Sequence, residues 1–333
     1  NPKLMCFMPE DVQLNRYLKV ARTIPSEVTT FRTFDFGPDK LPPEISIEKY
    51  GLDTTYLDPL KDRSLELSLK MDEEFREQIR ALMRTADAFG TIKVVFPMVL
   101  SPEQADRAFQ VLKEEEQVLL KRTDGRGIGS EVLSTKKVKI GAMLETVMSA
   151  QEVCDIAVKF DFIQVGSRDK VAMCHLKRGG GVIEIFAKLK QLHPEISVND
   201  VFNGLHQNWH PMEPYVLRDV KNTIDGVIMA NMLTGRRIPL TFAGRKVEKR
   251  RSIAFLLGAA SELIRNDLFA IAVSTDKIPR LNHVIGHVKL SECERMARIA
   301  LNDQPDAWKR NLRLYDILLK FARRRNLTDH TAI

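Results

Sequence analysis

An α/β fold built on parallel strands is what this sequence predicts, and three observations predict it. Short apolar runs rich in β-branched and aromatic residues recur along the chain, as strands buried on both faces require. Amphipathic stretches of helical period lie between them, and strand–helix alternation of this kind builds a parallel sheet. The 333 residues, 44% of them hydrophobic, supply apolar material for one large domain or two small ones. Periodicity alone leaves open whether the strands close into a barrel or form a doubly wound sheet.

The first helical stretch is 71–85 (MDEEFREQIRALMRT), with Phe75, Ile79, Leu82 and Met83 along one stripe. A strand follows at 92–98 (IKVVFPM). Residues 101–120 open on Ser-Pro-Glu, an N-cap with proline at the first helical position. The polar, glycine-containing stretch 123–135 reads as a loop, and 138–144 (VKIGAML) and 160–165 (FDFIQV) read as strands. Residues 182–208, centred on IEIFAKLKQL, read as an inserted helical segment. Beyond it come a strand at 238–242, a buried helix at 251–262 with Ser252 as its N-cap, and a strand at 268–273. The last stretch, 307–325, spaces Trp308, Leu312, Tyr315, Leu318, Leu319 and Ala322 as an amphipathic helix.

Composition narrows the function classes. No run approaches the roughly 18 apolar residues of a membrane helix, and the polar start at Asn1 is not that of a signal peptide. Cys6, Cys154, Cys174 and Cys293 are scattered without a CxxC pair, as expected of reduced thiols in the cytoplasm. The net charge of +7 suits anionic partners. Its basic clusters, Arg236 to Arg251 and Lys309 to Arg325, carry no nucleic-acid motif and read as solvated helix faces, so nucleic acid is not an expected partner. His206 with His210, and His283 with His287, have the spacing of half a metal site, but no third ligand is placed to join them. GxSxG, Walker and HExxH motifs are absent.

Four segments in order carry a resemblance. Residues 31–43 (FRTFDFGPDKLPP) resemble the RTxDxGxDKxLP signature of Enzyme I of the sugar phosphotransferase system, a phosphoenolpyruvate-utilising enzyme. Residues 75–98 are similar to that family's helix–loop–strand, and IGAMLETVMSA with FDFIQVGSRD to its glutamate-bearing strand and its DFFSIGTNDL strand. PMEPYVL, PLTFAG and IPRLNHVIG resemble its PMSPSVL, CGE and IPRVK landmarks. The fit runs from about residue 10 to residue 300.

The resemblance implies a (β/α)8 TIM barrel over residues 1–305, its site at the C-terminal strand ends, then a helix and basic tail at 306–333. The family's first strand, ending in an FRTEFL-like motif, has no counterpart here, so the barrel is expected to lack it. Matched residue by residue, Arg32, Arg63, Arg168, Arg178 and Lys40 fall to substrate binding, and Glu145 and Asp169 to Mg²⁺. Read without the resemblance, Arg32 and Asp35 form a local ion pair and Glu145 is a strand-end acid at a solvent boundary. Two departures stand out. Ser167-Arg168-Asp169-Lys170 replaces Thr-Asn-Asp-Leu, and Ala243 stands where the family has its proton-donating cysteine. The resemblance therefore implies a Mg²⁺-dependent phosphotransferase acting on phosphoenolpyruvate, with pyruvate, a phosphohistidine carrier and a homodimer partner. The alternative is a catalytically impaired barrel serving as ligand sensor or scaffold for an acidic partner.

Overall fold

The structure, a computed structural model, describes residues 8–23, 29–35, 50, 63–178, 214–244 and 250–302. The expected helical segments at 182–208 and 307–325 lie outside these residues, as do Lys40, His206 and His210. The chain forms two compact units, Asn1–Leu144 with Asp155–Gln164, and Glu145–Cys154 with Val165–Ile333.

In the first unit, β1 (Thr30–Arg32), β2 (Ile92–Phe96), β3 (Val138–Met143) and the opening residues of β4 (Phe162–Gly166) pair in chain order. All three pairings are parallel, with Arg32 opposite Val95, Phe96 opposite Ala142 and Met143 opposite Gln164. Helix α1 (Glu10–Thr23) precedes β1, α2 (Ser64–Lys70) and α3 (Asp72–Phe89) lie between β1 and β2, and α4 (Pro102–Lys121) lies between β2 and β3. The stripe on α3 is buried as its spacing requires. Ser101 caps α4, its Oγ accepting the Gln104 N–H at 3.2 Å, with Pro102 at the first helical position. Phe75, Phe96, Phe160 and Phe109 form a run of edge and tilted ring contacts at 5.1–6.4 Å between centroids. Gly141 leaves room for the Phe162 ring, which packs with Val95 and Met143.

The second unit contains α6 (Ser167–Arg178), α7 (Pro214–Thr234), β5 (Leu240–Ala243), α8 (Arg250–Ala259), α9 (Ser261–Arg265), β6 (Phe269–Ala272), α10 (Ile278–Gly286) and α11 (Leu290–Asn302). Strand β5 pairs with β6 in parallel from Leu240 opposite Phe269 to Ala243 opposite Ala272. Helix α5 (Ala150–Ala157) opens in this unit on a capping box. Glu152 N–H donates to Ser149 Oγ at 3.2 Å, while Ser149 N–H donates to the Glu152 carboxylate at 2.6 Å.

The expected alternation of parallel strands and helices is present, and each of the five expected strands is formed. The expected helix 251–262 instead divides around Ala260 into α8 and α9, and Ser252 is not a cap. The helix has already started at Arg250, so Ser252 lies inside it with a buried hydroxyl. Among the described residues no helix is long and apolar enough to cross a membrane.

Candidate functional site

Arg32 ends β1 in the first unit. The Thr33 N–H donates to the Val95 carbonyl at 3.1 Å and the Phe34 N–H to Gln78 Oε1 at 3.2 Å, so the backbone leaving the strand is held on both sides. Arg32 pairs with Asp35 at 2.9 Å while its side chain stays 50% exposed. The local ion pair is therefore present, and it leaves the guanidinium accessible. Asp35 also accepts from Ser64 Oγ at 2.6 Å, which brings the start of α2 to the end of β1. Ser64 has φ +53°, a left-handed conformation that costs a non-glycine residue and that this hydrogen bond helps to hold. Arg63 precedes it in an extended conformation.

In the second unit, Glu145 is 2% exposed, so it is a buried carboxylate and not an acid at a solvent boundary. Its Oε1 lies 2.1 Å from where a Cβ on Gly166 would stand, so only glycine at the end of β4 admits it. The next residue, Ser167, opens α6 with its Oγ buried and without a hydrogen-bond partner among the described residues. Gly244, at φ +114°, passes close to that hydroxyl, where an added Cβ would lie 2.7 Å away. Arg168 and Asp169 occupy the first turn of α6, where an acid and an incoming anion are both favoured by the helix dipole. Ala243 ends β5 directly before Gly244. The structure thus brings Glu145, Gly166, Ser167 and Gly244 together. It likewise brings Arg32, Asp35 and Ser64 together.

The remaining expectations fall elsewhere. Arg178 is the last residue of α6, and its side chain lies outside the described part. Cys154, Cys174 and Cys293 are buried and form no disulfide among the described residues, and burial, with Glu292 and Glu294 beside it, pushes the Cys293 thiol up. The rings of His283 on α10 and of His287, the residue that caps its C-terminus, lie 4.2 Å apart, and among the described residues no three His, Cys, Asp or Glu groups could hold an ion together. Sequence reasoning passed over Lys170 and Asp219, which form a buried ion pair at 2.6 Å. Both sit among other charged residues, in Ser167-Arg168-Asp169-Lys170 and Arg218-Asp219-Val220-Lys221, so no signal in the sequence set them apart.

The family model for the PEP-binding domain of PEP-utilising enzymes matches residues 4–288. The chain belongs to this family. Its relatives include the phosphoenolpyruvate-protein phosphotransferase of Mycoplasma genitalium, 24% identical over 91% of this chain and 44% of that protein. Proteins of the same name from Buchnera aphidicola and Haemophilus influenzae are each 25% identical over 88% of this chain. They are covered over 43% and 42% of their own lengths, so the chain spans less than half of these relatives. For a PEP-binding domain the donors present suit a hard divalent cation. Glu145 offers a buried oxygen in space a Cβ would fill, Asp169 a second carboxylate, and Ser167 a buried hydroxyl. Magnesium is bound through one or two carboxylates together with waters and substrate phosphate, and Glu145 and Asp169 are residues of that chemistry.

Proposed function

We propose that this chain is a (β/α)8 barrel, over residues 1–305, that binds phosphoenolpyruvate with Mg²⁺ and passes its phosphoryl group to a histidine on a separate domain. The relatives' name supports the reaction. The observation that carries it is Glu145, a buried carboxylate admitted by Gly166 immediately before the Ser167-Arg168-Asp169 turn. A carboxylate buried against a glycine at the opening of an anion-favouring helix is the kind of group that a metal or phosphate site uses.

In this reading Arg32 and Arg168 meet the phosphate, with Arg63, Arg178 and Lys40 as further cations of the substrate site. The first-turn N–H groups of α6 add fixed dipoles. Glu145 and Asp169 hold the Mg²⁺, whose charge neutralises phosphate oxygens when it is bound. Phosphoryl transfer depends mainly on position and charge neutralisation, which these groups supply. Ala243 carries no transferable proton, so C3 of the enolate takes its proton from water or another acid. A side-chain acid there contributes typically ~10²–10⁴-fold, which the alanine forgoes. A cytoplasmic homodimer belongs to the same reading on resemblance alone.

Titration calorimetry with phosphoenolpyruvate and Mg²⁺ tests it. Binding is expected in the intact chain, with at least a ~10-fold loss in Glu145→Ala and in Arg32→Ala, a scale set by removing a charge-assisted contact. Absence of binding in the intact chain overturns the reading in favour of a scaffold.

A further inference from the structure

The side chains of Lys170 and Asp219 are 1% and 4% exposed, and Nζ and Oδ2 are 2.6 Å apart. The contact is one of charge more than a directed hydrogen bond at Oδ2. Withdrawing two charges from water costs more than their attraction returns unless other groups hydrogen-bond them. Those groups all lie in one segment. Lys170 Nζ donates to the Thr146 carbonyl at 2.8 Å, and Asp219 Oδ1 accepts the Met148 N–H at 3.0 Å. Asn222, one turn along α7, donates to the Met148 carbonyl at 3.4 Å.

Thr146 directly follows Glu145, and Lys170 directly follows Asp169. The pair therefore fastens the neighbours of both carboxylates to α7. We propose that Lys170 and Asp219 are positioning residues, a buried charge clamp that fixes the backbone beside Glu145 and Asp169 and so sets the divalent-cation site. This rests on the reading of the site given above. A packing role alone needs no charge, and the family motif resembled here has leucine where this chain has Lys170. The clamp is thus a property of this chain's own sequence, placed beside the rewritten Ser167-Arg168-Asp169 turn.

The test uses the full chain, Mn²⁺ as the probe, and the double variant Lys170→Leu/Asp219→Leu. Replacing a buried ion pair by apolar groups of similar size is often neutral for stability, so the thermal midpoint should be nearly kept. Mn²⁺ affinity, read by electron paramagnetic resonance of the free ion, should fall ~10–100-fold, as when outer-shell partners of metal ligands are removed. Amide exchange across 146–149 should accelerate in the metal-free protein. Asp219→Asn, which keeps an acceptor for Met148 but not the charge facing Lys170, should weaken Mn²⁺ with less effect on that exchange. Unchanged exchange and Mn²⁺ affinity in both variants overturns the clamp. Wild-type protein that takes up no Mn²⁺, with exchange still accelerated in the double variant, overturns the phosphoenolpyruvate reading while the clamp stands.

Discussion

Glu145 owes its place to a side chain that Gly166 lacks. A Cβ at 166 would meet Glu145 Oε1 at 2.1 Å and Cδ at 2.8 Å, the far end of a side chain that can swing aside. Gly166→Ala should therefore cost little stability but displace the carboxylate, lowering Mg²⁺-dependent phosphoenolpyruvate affinity at least ~10-fold, as for loss of a properly aimed ligand. Gly141→Ala gives the contrast. There the added Cβ would lie 2.3–2.6 Å from the Phe162 ring, which is packed on Val95 and Met143 and cannot swing. It should cost about 1–3 kcal/mol through overpacking. Denaturation midpoints and calorimetry on both variants separate the two, and equal losses of affinity would refute the distinction. The resemblance made Glu145 legible in the sequence. Its burial, the need for Gly166, and the pairing of Lys170 with Asp219 were not, because each depends on contact between residues far apart in the chain.

At the scale of elements, the strands were the most legible, since β-branched runs buried on both faces leave an unbroken apolar signature. Strand β1 escaped because it is only three residues, Thr30–Arg32, with one buried side chain. Helix α1 escaped for a different reason: its buried face is Glu10, Gln13, Tyr17 and Ala21, so no apolar stripe marks it. Polar contacts hold that face instead. Gln78 donates to Tyr17 OH at 2.9 Å, and Arg80, Arg84 and Arg122 all donate to the Glu10 carboxylate. Burial pushes the Glu10 carboxyl up, but the three guanidinium contacts outweigh it and hold its pKa below the ordinary 4.5. A depressed folded-state pKa stabilises the fold above the unfolded value, and that stability is lost as the pH falls through the folded one. Glu10→Gln should accordingly destabilise the protein at neutral pH by on the order of 2 kcal/mol, the worth of hydrogen bonds to a charged group. Its stability should also decline less than wild type as the pH falls from neutral through 4.5 and below. Urea midpoints measured across that range decide the matter, and parallel curves would exclude Glu10 as a source of acid sensitivity.

For the whole molecule, the division into compact units does not follow the order of the chain. The first unit takes Asn1–Leu144 and then, after an excursion, Asp155–Gln164. The returning segment contributes the β4 residues paired with β3 from Gly141 to Met143, and the Leu144 N–H donates to the Gln164 carbonyl at 2.8 Å. It also contributes Phe160, against Phe96 and Phe109, and Phe162 and Ile163, all buried. Burying three such side chains stabilises by roughly 5–9 kcal/mol, comparable with the ~5–15 kcal/mol by which whole domains exceed their unfolded states. A fragment ending at Leu144 should therefore lack a cooperative urea transition and fixed near-ultraviolet dichroism. Extending it to Gln164 should restore both, because β3 then regains its partner and the aromatic run is completed. A sharp transition already present in the shorter fragment would mean that α1 to α4 and β1 to β3 close a core without the returning strand. The packing of Phe160 against Phe96 and Phe109 would then be incidental to folding.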